Sequence, residues 1–132
     1  MSEDLFPSQE RGRDASEWVA AQFSLERADG RDWCDLVNPR TGAKHEVKSA
    51  RPDRRFRIWE DNHRSLTASD GQNVAWYDFV ILSSGSTPEP LDHRRMKPAT
   101  VTQLVKDRGG WNRAGHSKRD GRQHKLPVSE VF

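Results

Sequence analysis

Three side chains near the turn Asn38-Pro39-Arg40-Thr41-Gly42 carry the strongest chemical signal in the chain. The stretch "CDLVNPRTGAKHEVKSA", residues 34–50, alternates as two strands around that turn. If residues 39–42 form the connection, Asn38 pairs with Ala43 and the register sets Asp35 directly opposite Glu46. Directly opposed side chains in a strand pair lie about 4.5–5.5 Å apart at Cβ, so two carboxylates there repel. Lys48, two residues beyond Glu46, shares its face. Cys34, Leu36 and Val47 fall on the other, apolar face. A hard divalent cation that prefers oxygen ligands relieves such a repulsion. Mg²⁺ held by two carboxylates and waters can bind a phosphate oxygen and acidify a water, and an adjacent lysine can orient that water and stabilise a pentavalent phosphate.

The elements that must position these groups can be read along the chain. Residues 1–13 are polar and aperiodic, a flexible N-terminal lead-in; residues 14–132 form a single domain. A helix is expected from Asp14, with Asp14 as N-cap and Glu17 as its capping-box partner. It ends near Ala28, or gives way earlier to a strand over Phe23–Arg27, with Asp29-Gly30 as the turn signal. Strands at 32–38 and 43–50 follow, then a basic loop, "ARPDRRFR". Ile58, Asn62 and Leu66, four apart with Trp59 and His63 alongside, predict an amphipathic helix ending before Asp70-Gly71. The most apolar run, 74–84, reads as a central strand covered on both faces. A Pro-rich loop, a short helix from Thr100 through Val105 stopped by Gly109-Gly110, and a basic, turn-rich end complete the chain. The fold class is therefore α/β, with a mixed central β-sheet flanked by helices.

Asp35 followed by Glu46-Val47-Lys48 on a hairpin resembles the PD-(D/E)xK nuclease superfamily, which includes restriction endonucleases and Holliday-junction resolvases. The triplet alone is a weak signal. The opposing register, the upstream helix bearing Glu17 and the apolar strand beyond a further helix carry the resemblance, which spans about residues 14–83. Cys34 stands where the family's name has proline. The resemblance implies a restriction-endonuclease-like fold and a metal-dependent endonuclease activity on the phosphodiester bonds of DNA. It implies Asp35 and Glu46 as ligands of Mg²⁺ or Mn²⁺, Glu17 as an auxiliary ligand, Lys48 as the water-positioning residue, and His63 as the polar residue on the helix after the motif. It also implies a homodimer, so that two sites address two strands.

Charge distribution points to the same partner. The net charge is only +2, but residues 94–125 hold ten basic and two acidic side chains, and Arg outnumbers Lys 16 to 6. Arg51, Arg54, Arg55 and Arg57, directly after the hairpin, and Arg113, Lys118, Arg119, Arg122 and Lys125, around Trp111, are candidates for phosphate-backbone contact. A nucleic-acid-binding module without catalysis would need the same basic segment, and is the alternative reading. No apolar run reaches the ~20 residues of a membrane span and no signal-peptide pattern opens the chain, so the expectation is a cytoplasmic protein with no membrane association. The single cysteine, Cys34, excludes an intrachain disulfide and suits a buried strand position.

Overall fold

A computed structural model describes residues 7–28, 34–113 and 121–132. In chain order its elements are α1 (Pro7–Phe23), β1 (Glu26–Arg27), β2 (Leu36–Val37), β3 (Lys44–Ala50), β4 (Arg55–Trp59), α2 (Glu60–Gln72), β5 (Ala75–Leu82), β6 (Pro90–Met96), α3 (Pro98–Asp107), β7 (Asn112–Arg113), β8 (Arg122–Pro127) and α4 (Val128–Val131). The main sheet has the order β1-β2-β3-β5-β6, and a three-stranded sheet has the order β4-β8-β7. The pair β3 and β5 is parallel and the other neighbours are antiparallel, which gives the expected mixed sheet flanked by helices.

The hairpin forms in the expected register from the turn as far as Leu36; Asp35 departs from it, its N–H going to the His45 carbonyl and not pairing with Glu46. Leu36 pairs with His45 and Val37 with Lys44, and the Asn38 N–H donates to the Ala43 carbonyl at 2.8 Å. Gly42 closes the turn at φ +77°, a left-handed conformation that costs glycine little. Strand alternation then sorts the side chains of β3. Val47, with Leu36, Val80 and Leu82, packs on one sheet face against Ala15 and Val19 of α1. On the other face Tyr77 and Phe79 meet Phe56, Ile58, Leu66, Val101, Val105 and Leu126, contributed by α2, α3 and the second sheet. Each such aliphatic or aromatic burial stabilises by roughly 1.5–3 kcal/mol. Two layers of apolar side chains thus clamp the sheet that carries the hairpin.

Five expectations require correction. The second helix, expected to take in Ile58 and Trp59 and to end before Asp70-Gly71, runs from Glu60 to Gln72, since Ile58 and Trp59 are held in β4. The first helix begins at Pro7, not Asp14. Proline fixes φ at a first helical position and has no N–H to leave unpaired, and Gln-Glu-Arg propagates the helix. The lead-in assigned to residues 1–13 is therefore helical over 7–13, and residues 1–6 lie outside the described residues. The basic loop is in part strand β4, where exposed Arg55 and Arg57 alternate with buried Phe56, Ile58 and Trp59 against β8. The Pro-rich loop contains β6, an edge strand whose Pro90 stands first, where the missing N–H does least harm to the ladder. The short helix is longer than expected, from Pro98 to Asp107, and ends as expected at Gly109 and Gly110, both at positive φ.

Candidate active site

Asp35 directly precedes β2 and Glu46 lies within the neighbouring strand β3. Asp35 donates its N–H at 3.1 Å to the carbonyl of His45, the residue that pairs with Leu36. Its exposed carboxylate turns onto β3, where Oδ2 accepts the Val47 N–H at 2.8 Å. Glu46 is only 5% exposed. Lys48 Nζ lies 3.8 Å from Glu46 Oε2, and the Asn62 side-chain amide of α2 donates to that same oxygen at 3.5 Å. A buried carboxylate is tolerable only with such partners. Tyr77, beside Glu46 in the parallel ladder, has its phenol pushed well above the usual range by burial and by the charge of Glu46. Glu46 therefore has an ammonium and an amide spreading its negative charge, and Asp35 has a backbone amide.

Glu17 does not join them. It is exposed on α1, whose inward residues Ala15 and Val19 pack on the sheet face opposite Glu46. Two residues is about 200° of helical turn, so Glu17 points away from the face those residues bury. Asp14 lies inside the helix, so its capping-box pairing with Glu17 is not formed either. Among the described residues no three His, Cys, Asp or Glu side chains are close enough to share a metal ion. Asp35 and Glu46 carry carboxylate oxygens, the donor type that suits a hard divalent cation.

His63, the polar residue on the helix after the motif and a further candidate for nucleic-acid contact, is a buried bridge. The Thr102 hydroxyl donates to the Pro98 carbonyl at 3.1 Å, so the Thr102 oxygen receives the His63 Nε2 proton at 2.7 Å. Nδ1 is then the acceptor of the Tyr77 hydroxyl, also at 2.7 Å. Burial, only partly offset by Glu60, lowers the His63 pKa to about 4, and the ring is neutral at pH 7. The Tyr77 proton is directed at His63, so Glu46 is left to cationic and amide partners. The α2 residue that does reach the carboxylate, Asn62, was a polar residue on the helix's apolar stripe, which is the signal that could have found it.

The cations divide into two populations. Arg51, Arg54, Arg55 and Arg57 converge with Lys48, Ser49 and Ala50 on a pocket of about 450 Å³. Lys125 pairs in register with Arg57 and continues that basic face. Four cations of the basic segment, Arg95, Lys97, Arg108 and Arg122, hold carboxylates of the fold. Arg122, expected on nucleic acid, instead grips Glu60 through Nε and Nη2 at 2.8 and 2.6 Å. Glu60 is only 8% exposed, so its buried charge recruits the guanidinium. Arg95 donates to Asp78, a fully buried carboxylate that also binds His45 and His93. Burial pushes the Asp78 pKa up, but these hydrogen bonds and the neighbouring positive charges outweigh it and hold the carboxyl well below the usual range. Lys97 pairs with Asp70 and Arg108 with Glu130. Arg113 stands in β7; Lys118 and Arg119 lie outside the described residues. No helix among the described residues is long and apolar enough to cross a membrane.

Comparison with known proteins follows this geometry. The family model of the PD-(D/E)XK nuclease superfamily domain matches residues 1–132, the whole chain. A search of curated proteins gives no match. Among solved structures the chain is similar to Hjc, a Holliday junction resolvase from the archaeal hyperthermophile Archaeoglobus fulgidus, at 16% identity over 90% of this chain and 93% of that one, with a TM-score of 0.47. The chain belongs to the PD-(D/E)XK nuclease superfamily.

Proposed function

We propose that this superfamily member is a divalent-metal-dependent endonuclease that hydrolyses phosphodiester bonds in DNA. One observation carries the reading: a buried Glu46 has Lys48 at 3.8 Å, and Lys48 opens onto a pocket lined by four arginines. Bound by Asp35 and Glu46, Mg²⁺ or Mn²⁺ supplies charge neutralisation and a more acidic water. Lys48 orients the attacking water and stabilises the charge that develops on phosphorus-bound oxygens. Arg51, Arg54, Arg55 and Arg57 hold the adjoining backbone, and forked guanidinium groups suit phosphate oxygens. Asn62 fixes the Glu46 oxygen it touches. The protein works as a homodimer in the cytoplasm, each copy addressing one strand.

The test is a plasmid-nicking assay with wild type, Asp35→Asn and Lys48→Ala in Mg²⁺, Mn²⁺ and EDTA. Metal-dependent nicking by the wild type alone is expected, with Lys48→Ala silent although it retains metal binding. A wild type that binds DNA yet cuts none in either metal supports the non-catalytic binding module instead.

A further inference from the structure

Strand β3 carries another cation on the face of Glu46 and Lys48. Alternation puts Lys44 two residues before Glu46, as Lys48 stands two residues after it. Lys44 lines a pocket of about 360 Å³ with Ser65, Ala68, Ser69 and Gln72 of α2. Their spacing of three, one and three residues puts all four on one side of the helix. Two hydroxyls and a primary amide are neutral donors, and no carboxylate lines the space. Lys44 makes no ion pair with any described residue, whereas Arg95, Lys97, Arg108 and Arg122 each hold a carboxylate. A lysine without a counter-charge, facing donors across an open pocket, is complementary to an anion.

We propose that this pocket holds a backbone phosphate of the DNA strand being cut, on the opposite side of the scissile bond from the phosphates at the arginine pocket, so that the strand lies along β3. The proposal rests on the nuclease reading and adds a direction to it. Lys44 and Lys48 are four residues apart, about 13 Å at ~3.3 Å per residue. A stacked strand rising ~3.4 Å per nucleotide covers that distance in about four nucleotides. With the scissile phosphate at Glu46, midway, Lys44 contacts a phosphate about two nucleotides from the cut.

Lys44→Gln keeps the side chain's length and polarity and removes its charge, and Ser69→Asp adds a repelling charge to the same pocket. Duplex affinity is measured for both and for the wild type at 50 and 200 mM salt without divalent metal. One lost contact lowers the salt slope by about 0.9, so the wild-type advantage over Lys44→Gln should shrink about 3.5-fold across this fourfold salt range. Ser69→Asp should bind more weakly than the wild type, most visibly at low salt. In cleavage assays, a neutral methylphosphonate about two nucleotides to one side of the cut should slow the wild type but not slow Lys44→Gln further. Wild-type binding and cutting with an unchanged slope for Lys44→Gln, or an equal methylphosphonate effect in both proteins, overturns the track alone. A wild type that neither binds nor cuts DNA removes the nuclease reading and the track with it.

Discussion

Asp35→Asn separates the charge of the hairpin carboxylate from its hydrogen bond. Asp35 Oδ2 accepts the Val47 N–H at 2.8 Å, and the oxygen of an asparagine can take the same bond. The substitution therefore leaves the backbone contact in place and removes one of the hairpin's carboxylate charges, a relief of at most about 1 kcal/mol, the cost of a like-charged cross-strand pair. In EDTA the variant should melt at the wild-type temperature or slightly above it. With Mn²⁺ present the order should reverse. An ion that binds only the folded state stabilises by RT ln(1 + [L]/Kd), about 1.4 kcal/mol when metal is tenfold above Kd. For a domain of 132 residues that is a rise of about 4–7 °C. The wild type should show this rise, and Asp35→Asn, with Glu46 left as the single carboxylate of the pair, should lose most of it. Paired thermal melts with EDTA and with Mn²⁺ decide the matter. A variant several degrees less stable in EDTA would show that the Asp35 charge serves the fold, and equal Mn²⁺ shifts in both proteins would put the ion elsewhere.

Removing the charges of Arg51, Arg54, Arg55 and Arg57 together should lower the salt slope of DNA binding by up to about 3.6, at roughly 0.9 per phosphate contact, as read by binding titrations from 50 to 200 mM salt; an unchanged slope would free the pocket of any role with phosphate. Because the His63 pKa is lowered to about 4 by burial, the unfolded chain binds the extra proton first, near pH 6.5. The stability tied to the neutral ring is complete above that pH and is lost as pH falls toward 4, up to about 2–3 kcal/mol; His63→Gln should flatten this limb in urea melts taken between pH 7 and pH 4.5. Arg122→Ala leaves Glu60 buried with Arg64, at 3.2 Å, as its remaining salt-bridge partner among the described residues, and should cost about 1–2 kcal/mol in urea melts; Glu60→Gln in the same background should recover part of it, which a purely local packing defect would not allow.

The hairpin was legible because its register is a local quantity. Once Asn38-Pro39-Arg40-Thr41-Gly42 turns the chain, every facing pair is fixed, and a one-residue slip would expose Leu36 and Val47 while burying Asp35 and Lys48. The central strand was legible for a similar reason, since only a segment covered on both faces is apolar at nearly every position from Ala75 to Leu82. Strands β4 and β6 were hidden because their outward residues are arginines, histidine and aspartate, so their composition matched loops. In β4 the alternation of Arg55, Phe56, Arg57 and Ile58 was present, but Ile58 and Trp59 also fitted the helical stripe that continues into α2, and period 2 over so short a run loses to period 3.6 when the two overlap.

The cations pose a different difficulty, because whether a positive side chain is available to a substrate depends on the nearest buried carboxylate, which is seldom near in sequence. Arg122 and Glu60 are 62 residues apart, Lys97 and Asp70 are 27 apart, and Arg95 and Asp78 are 17 apart. Density of basic residues over 94–125 therefore overstated the phosphate-binding capacity of that segment, since Glu60, Asp70, Asp78 and Glu130 each take one of its charges. The four arginines after the hairpin escape this capture for a geometric reason. Arg55 and Arg57 are held outward by the burial of Phe56 and Ile58 between them, while Arg51 and Arg54 sit where the chain leaves β3 for β4, beside Lys48. Lys48, which lines their pocket and pairs with Glu46, is turned to the face of Glu46 by the same strand alternation that buries Val47. Inserting one residue between Lys48 and Phe56 would leave the charge count and composition of the loop almost unchanged but turn the arginines of β4 inward or break its pairing with β8. The expected result is loss of both stability and DNA affinity, whereas an insertion in the Ser83–Glu89 connection, far from this face in the topology, should spare DNA affinity.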